Sequence, residues 1–386
     1  MTTSPLRIAL ITTDARHWLG QFDATAPNFG TAIQGLLQGF GDLGNVEVHV
    51  VSASPSPLKS PDKLAANIWF HHVYVSKYGW GRSFFLGVSW QIRRLIEGLD
   101  VDIVHGQGTE RDCAVAAILS GKPSVLTIHG NMRVHAKRNK NGHWLYYRIA
   151  SLLEAICLSR CDGVVAISRY TKDLVKGLSP RTWLLPNAVD RRYFDITPAP
   201  PVVPHILFVG SIDERKNPLG LIRACEPLLR AGECTLAIAG QGDQDHPYVK
   251  EAFALAKKIP GIEMLGFIGR DELGSQFEKC SLVVLPTFED NCPMVILEAM
   301  AAGLPVAASR VGGVPDLITH ESNGLMFDPH DQQDMRACLE RLVRSPETLA
   351  RFGQQARIKA HAQFHPKVIA EEHLKIFRDV LGRQKF

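Results

Sequence analysis

The feature that most limits the fold is a pair of series of short apolar runs, each run of strand length and followed by a helical stretch. RIALIT (7–12), VEVHVVS (46–52), DIVHGQ (102–107), SVLTIH (124–129) and GVVAIS (163–168) make the first series. HILFVGS (205–211), CTLAIAG (234–240), IEMLGF (262–267), SLVVLPT (281–287) and LPVAAS (304–309) make the second. Runs that are apolar almost throughout belong to strands covered on both faces, the condition of a parallel sheet with helices above and below. Between the series lies ITPAPPVVP (196–204), with four prolines in nine residues. Proline removes backbone donors and stiffens the chain, so this segment reads as an interdomain linker. The expectation is an α/β protein with two doubly wound parallel-sheet domains, 1–195 and 205–369. The last helical pattern, AEEHLKIFRDVLGRQ (370–384), follows every strand of the second series. Residues 370–386 are expected to pack back on the first domain. Ligands of open α/β sheets bind outside the carboxyl ends of the strands, so the βα loops of both domains should line a cleft.

Composition agrees with two soluble domains. The chain has 386 residues, 45% apolar and 21% charged, against roughly 150 residues per domain. That excludes disordered, coiled-coil and low-complexity classes. No stretch of 18 uncharged apolar residues occurs, so no helix is expected to span a membrane. MTTSPLRIALITTDARHW has a basic residue and an apolar run but no small-residue cleavage site, and reads as a strand rather than a signal peptide. Cys113, Cys157, Cys161, Cys225, Cys234, Cys280, Cys292 and Cys338 are dispersed, with no Cys-x-x-Cys and no Cys/His cluster. They read as buried thiols in a reducing, cytoplasmic setting, with no metal site.

Charge is uneven. Residues 1–195 carry 22 Lys/Arg and 15 Asp/Glu, a net of +7; the remainder carries 21 and 24, a net of −3. No acidic residue lies between Asp112 and Glu154, where Lys122, Arg133, Lys137, Arg138, Lys140 and Arg148 occur. This stretch reads either as solvated surface or as a patch facing an anionic partner. Trp144, Tyr146 and Tyr147 follow it, and aromatic groups beside cations mark interfaces. The charge is confined to one short region without a recognition motif, so no nucleic-acid partner is expected.

FEDNCPMVILEAMAAGLPVAAS (288–309) carries the most chemistry. Asp290 and Asn291 are cap-type residues, Pro293 suits a first helical turn, and Gly303 with Pro305 ends the helix. The helix body is apolar except for Glu298, whose neighbours three and four residues away are Met294, Val295, Ala301 and Ala302. A lone carboxylate on such a face needs a partner, and a pair of ligand hydroxyls supplies one. Exposed amides of residues 291–294 would attract a phosphate or polar sugar groups. No G-x-G-x-x-G follows the first strand; Gly30, just before a helix at about 31–40, would still let an amide approach a phosphate. His105 reads as a satisfied core histidine. His129, at the carboxyl end of a strand and next to Gly130, reads as a cleft residue.

Asp290-Asn-Cys-Pro-Met-Val-Ile-Leu-Glu298 followed by AMAAGLPV resembles the acidic-x7-Glu signature of family 4 glycosyltransferases, the retaining group 1 transferases of GT-B fold. VHGQG (104–108), TIHG (127–130), AISRYTKDLV with LLPNAVDRRYF (166–194), FVGSIDERKNP (208–218), AGQGD (239–243), GGVPDLI (312–318) and SNGLMF (322–327) are similar to other segments of that family, in the same order. The resemblance implies two Rossmann-like domains facing a cleft, and retaining transfer of a sugar from a nucleoside diphosphate sugar to a hydroxyl acceptor. It implies that Glu298 binds ribose hydroxyls, Asp290 the hydroxyls of the donor sugar, and Lys216 the diphosphate. His129 would lie near the anomeric region, Gly30 would admit the diphosphate, and main-chain groups around Leu265–Phe267 would read the base. Glu289, Asn291, Cys292, Pro293, Met294 and Val295 complete the implied donor site. The donor is a substrate, and the resemblance implies no cofactor and no metal.

Two positions depart from the family's pattern. Its first acidic residue is commonly Glu, where this chain has Asp290 preceded by Glu289. It often has Arg five residues before its lysine, where this chain has Ser211, and Arg215 beside Lys216 is the candidate substitute. A sugar or lipid-linked acceptor is expected, and Arg133, Lys137, Arg138 and Lys140 are candidates for holding it or for peripheral attachment to the inner membrane face. The alternatives are a GT-B nucleotide-sugar epimerase and a sugar-nucleotide-binding protein without turnover.

Overall fold

A computed structural model describes residues 4–109, 111–138 and 144–383. Contacts divide the chain into two compact units, Met1–Ala188 with Pro366–Phe386, and Val189–His365.

In the first unit an eight-stranded sheet has the order β3-β4-β2-β1-β5-β6-β7-β8. Its strands are β1 (Leu6–Ile11), β2 (Val46–Ser54), β3 (Lys63–Ala65), β4 (Ile68–Tyr74), β5 (Ile103–Gln107), β6 (Ser124–Ile128), β7 (Gly163–Ala166) and β8 (Thr182–Leu184). All pairings are parallel except that of β3 with β4. β5, β6 and β7 are buried at every residue, as their uninterrupted apolar sequences require. The helices are α1 (Thr31–Gly41), α2 (Leu86–Glu97), α3 (Asp112–Leu119), α4 (Met132–Arg138), α5 (Trp144–Arg160) and α6 (Arg169–Leu174). α6 begins where Ser168 Oγ accepts from the Thr171 amide at 3.1 Å.

The second unit has six parallel strands in the order β11-β10-β9-β12-β13-β14. They are β9 (His205–Val209), β10 (Thr235–Ala239), β11 (Ile262–Gly266), β12 (Leu282–Leu285), β13 (Val306–Ser309) and β14 (Gly324–Phe327). Its helices are α7 (Pro218–Arg230), α8 (Pro247–Ala256), α9 (Arg270–Lys279), α10 (Met294–Ala302), α11 (Val314–Leu317), α12 (Gln332–Val343) and α13 (Pro346–Gln363). The chain then returns to the first unit as α14 (Pro366–Arg383).

The change-over between units falls before Val189, not within the proline-rich 196–204. Val189 N donates to Phe364 O at 3.0 Å, Tyr193 packs on Phe277 with ring centroids 5.7 Å apart, and Arg357 donates to the carbonyls of Phe194 and Ile196. These contacts build residues 189–196 into the second unit. The prolines that follow line a cavity of about 310 Å³ on that same unit, beside Cys280, Leu304 and Leu349.

α14 fills one face of the first sheet. Ile369, Leu374, Phe377 and Val380 share a core with Ile33, Leu36 and Phe40 of α1 and with Val48, Ile103 and Val125 from the strands. The helices meet closely at Gly39, where an added Cβ would stand 2.1 Å from the Pro366 carbonyl oxygen. A methyl group at Gly39 must therefore push the start of α14 away. Gly39→Ala is expected to destabilise the first unit by about 2 kcal/mol, the scale of an overpacked core. Chemical denaturation followed by circular dichroism measures this; an unchanged midpoint would show that α14 docks without that contact.

Candidate functional site

In the second sheet the strand order reverses between β9 and β12, because β10 and β11 lie beyond β9 while β13 and β14 lie beyond β12. A crevice forms at the carboxyl ends of strands at such a switch point. The loops leaving β9 and β12 carry Lys216 and Asp290, and their side chains meet as an ion pair, 15% and 16% exposed. The loops are laced together. Arg215 O accepts from Phe288 N at 2.8 Å, and Arg215 Nη1 donates to Glu289 O at 3.2 Å. Thr287 Oγ1 lies within hydrogen-bond distance of both Arg215 O and Glu289 O. From the other side, Gly313 N donates to Asp290 O at 2.9 Å. Gly312, at φ +54°, approaches that oxygen so closely that a Cβ would lie 1.9 Å from it, so only glycine fits there.

Asp290 is thus held as an ion-pair partner of Lys216, and the N-cap residue of α10, Pro293, makes no side-chain cap. This corrects the expectation that Asp290 or Asn291 caps this helix and that Pro293 lies in its first turn: Pro293 occupies the N-cap position itself. Cys292 and Val295 are buried here, and Met294 is half-buried. Ser211, where the resemblance leads one to look for arginine, is exposed and donates to Asp213 Oδ2 at 2.6 Å. Asp213 also accepts from Lys216 N at 2.8 Å, which fixes the start of the lysine side chain. Leu265 is half-buried at the end of β11, and Phe267 beyond it is 71% exposed.

Glu298 lies on α10, 4% exposed. Burial raises its carboxyl pKa to about 7, opposed by the charge of Arg270 and aided by that of Asp190. Tyr193, from the short turn Arg191–Phe194 that packs on α10, is buried against the same carboxyl; desolvation first, then Glu298, pushes its phenol upward. Its hydroxyl has no hydrogen-bond partner among the described residues. Asp190, Tyr193 and Arg270 are site residues that sequence reasoning missed. Asp190 and Tyr193 fall within the VDRRYF segment (189–194), but nothing in their spacing announces that they face α10.

In the first unit His105, Gln107 and His129 form a ladder at the ends of β5 and β6. His129 Nε2 donates to Gln107 Oε1 at 2.7 Å, the Gln107 amide nitrogen lies 3.1 Å from His105 Nε2, and that atom lies 2.8 Å from Thr127 Oγ1. His105 is wholly buried and hydrogen-bonded, a core histidine in fact. Gln107 and Thr127, which hold the two rings, were not anticipated. Gly30 precedes α1 at φ −57° with open space about its Cα, so its role does not rest on glycine's conformational freedom.

Of the basic group, Arg133 is half-buried and donates to Leu174 O at 3.0 Å, at the end of α6. It serves there as a helix C-terminal partner, not as a freely exposed cation. The side chains of Lys137 and Arg138, and all of Lys140, lie outside the described residues. Among the described residues no group of three His, Cys, Asp or Glu side chains is placed to hold a metal ion, and no helix is long and apolar enough to cross a membrane.

Residues 190–359 match the family of glycosyl transferases group 1, and residues 30–193 match glycosyltransferase family 4. A Methanocaldococcus jannaschii protein described as an uncharacterized glycosyltransferase is 26% identical over 320 residues, 82% of this chain and 85% of its own. Among solved structures, sucrose-phosphate synthase from Thermosynechococcus elongatus superposes with a TM-score of 0.73 at 18% identity, covering 98% of this chain and 100% of that one. Anabaena HepE, solved in complex with UDP-glucose, gives a TM-score of 0.70 at 16% identity, covering 97% and 100%. At these identities the structural likeness is one of fold, the GT-B architecture of two Rossmann-like domains.

The buried histidines impose a pH dependence on the first unit. Burial lowers His373, on α14, from 6.5 to about 4, and lowers His105 well below its ordinary value, helped by the charges of His373 and His129. Between pH 6.5 and about 4 the unfolded chain binds protons at these rings that the folded chain refuses, so stability falls as pH drops through that window. His373 Nε2 is also without a partner among the described residues, beside a cavity of about 10 Å³. His373→Leu should therefore flatten the loss of stability of the first unit between pH 6.5 and 4. Denaturation midpoints across that range test this, and an unchanged slope contradicts it.

Proposed function

The chain belongs to the family 4 glycosyltransferases of group 1, and we propose that it moves a hexosyl-type sugar from a nucleoside diphosphate sugar to a hydroxyl acceptor with retained anomeric configuration. One observation carries the reading: at the switch point of the second sheet Lys216, from the loop after β9, is tied to Asp290, whose own loop leads into the helix that buries Glu298.

In this reading the donor replaces contacts that the protein makes with itself. Lys216 passes from Asp290 to the diphosphate, where a fixed cation stabilises the charge that grows as the glycosidic bond breaks. Asp290 then accepts from hydroxyls of the donor sugar, one methylene further back than a glutamate would reach. Glu298 accepts from two vicinal ribose hydroxyls, which restore the hydrogen bonds its carboxylate lost on burial. The amides at the start of α10, whose N-cap is a proline with no side-chain acceptor, suit polar sugar or phosphate oxygens. Main-chain groups at Leu265 and Phe267 are proposed to read the base. Arg215, held over the Asp290 loop by the Glu289 carbonyl, supports the view that it makes up for Ser211. From the first unit the reading takes the His129 ring and the Gly30 amide.

The bond from the anomeric carbon to the leaving phosphate oxygen breaks as that carbon bonds the acceptor oxygen on the same face. The acceptor proton passes to the departing diphosphate. No protein nucleophile and no metal is needed if Lys216 and backbone amides carry the leaving-group charge. The acceptor is proposed to be a sugar or a lipid-linked hydroxyl in glycoconjugate synthesis, reached by peripheral association with the inner membrane face through the segment of Arg133, Lys137, Arg138 and Lys140.

Donor consumption with mixed acceptors, and the anomeric configuration of the product by NMR, tests the reading. Binding without consumption leaves a nucleotide-sugar-binding protein, and donor epimerised without transfer leaves an epimerase.

Two substitutions separate the roles. Lys216→Ala should lower kcat about 100-fold while KM for the donor changes far less, because the charge it meets grows in the transition state. An intact rate would place the phosphates elsewhere. Glu298→Gln should weaken donor binding at least about tenfold, the effect of removing a charged hydrogen-bond acceptor. It should also stabilise the free protein above pH 7. A folded pKa of about 7 lies above the ordinary 4.5, so the unfolded chain sheds its proton first and stability declines as pH rises between those values. Glutamine removes that decline. Unchanged donor affinity would remove Glu298 from the donor site, whatever the stability result.

A further inference from the structure

One layer of helices in the first unit leaves an apolar surface open. α2 packs on α3 and α3 on α5, and Val88, Ile92, Ala114, Cys157 and Leu158 from their inner sides join one core against the sheet. The outer side of α2 carries Leu86 and Trp90 beside the Arg93–Glu97 pair and Arg94, and that of α5 carries exposed apolar residues with Arg148 and Arg160. On α2, Leu86 and Trp90 are each about half exposed, and the Arg94 guanidinium lies over the Trp90 ring, 4.6 Å from its centroid. On α5 the same arrangement recurs: Trp144 is exposed with Arg148 over its ring at 5.8 Å. Leu145, Leu152 and Ile156 of α5, spaced for one helical stripe, are all exposed.

The turn that leads into α2 extends this surface. Phe84 and Phe85 both take the left-handed conformation, at φ 51° and 63°, which bulky side chains avoid. The result is that Phe85 enters the core while Phe84 stands 51% exposed, near Tyr78 at 72%. The turn is braced. Trp80 Nε1 donates to Val75 O at 2.9 Å, and Ser83 Oγ accepts from Gly87 N at 3.1 Å. A strained, braced backbone that holds an aromatic ring out into water is a reason to look for what covers the ring.

The charge around the surface narrows the choice. No Asp or Glu occurs from 63 to 96 or from 113 to 153, the stretches that hold α2 with its turn and most of α5. Of the acids that bound these stretches, Glu97 pairs with Arg93, Asp112 and Glu154 are buried, and Asp62 is exposed.

We propose that this helix layer is a membrane-docking face, which lies on an anionic lipid bilayer with Tyr78, Phe84, Trp90 and the Leu152 stripe at the boundary between headgroups and acyl chains. Arg94 and Arg148 then meet the headgroup phosphates. Trp and Tyr rings favour that boundary, and interfacial attachment combines apolar insertion with attraction to anionic lipid. A second copy of the chain fits less well, since it would bring two faces of like charge together. The inference rests on the membrane-side acceptor proposed above only for its use in the cell; the surface itself owes nothing to the donor chemistry.

The experiment is sedimentation of the full-length protein with vesicles of phosphatidylcholine, with and without phosphatidylglycerol, at low and at physiological salt. The wild type should bind only with phosphatidylglycerol, and less at higher salt. Trp90→Ser with Leu86→Ser, and separately Leu152→Ser with Ile156→Ser, should each lower the bound-to-free ratio about tenfold, as expected for lost apolar insertion. Donor consumption with a soluble acceptor and the thermal midpoint should stay as in the wild type. If these variants bind as the wild type does while Gln at Arg133, Lys137, Arg138 and Lys140 abolishes binding, docking runs through the basic segment and the helix-layer proposal is overturned. It is equally overturned if light scattering shows that the Ser variants turn an oligomer into monomers without affecting vesicle binding. Absence of wild-type binding to every vesicle removes both membrane readings and leaves the transfer reaction standing.

Discussion

The constraint on which the second unit turns is the burial of the Glu298 carboxyl on a helix that is otherwise apolar. Most helices of this kind exist to fill a core, and α10 does so with Val295, Ile296, Leu297, Ala299 and Met300. A carboxylate in that position opposes folding when ionised, which is why its pKa rises to about 7. The surroundings moderate the cost without cancelling it: Arg270 favours the charge, while Asp190 opposes it and the Tyr193 phenol offers a nearby polar atom. Such a group is intelligible when a ligand completes its hydrogen bonds, because the free energy withheld from folding then appears in binding.

The rest of the second unit holds that helix in place relative to Lys216. Strand order puts β9 beside β12, so two loops distant in sequence emerge side by side. Their backbones are cross-bonded through Arg215, Phe288 and Glu289, and Gly312 closes the third side against Asp290. The ion pair is therefore a consequence of topology before it is a matter of side chains. In the first unit the comparable device is the histidine–glutamine ladder, which β5 and β6 carry at their carboxyl ends and which α14 covers with His373.

Much of this was legible in the sequence, for stated reasons. All ten apolar runs are strands of the two sheets; β5, β6, β7, β12 and β13 are buried at every residue, while β11, at a sheet edge, has no fully buried residue. Glu298 stood out because charge conflicts with its neighbours at helical spacing. What the sequence did not show depends on contacts between distant segments. Tyr193 looks like any aromatic residue until the turn Arg191–Phe194 packs on α10, and the proline segment looks like a linker until residues 189–196 are seen bonded to Phe364 and Arg357. The cap of α10 was misread because an aspartate before a helix has a local use and a distant one, and here Lys216 takes it. Of the exposed helix layer, the aromatic start of α5 stood out in the sequence, while α2 and its turn did not, because apolar residues at helical spacing carry the same signature whether they face a core or the solvent.

The central claim is that the second unit binds a nucleoside diphosphate sugar. A thermal-shift panel of UDP-, GDP- and ADP-sugars with the full-length protein tests it most directly. The account predicts that sugars of one base raise the unfolding midpoint, with a stabilisation of about 2.7 kcal/mol at 100 times the dissociation constant. A flat response to every member of the panel at millimolar concentration would contradict it.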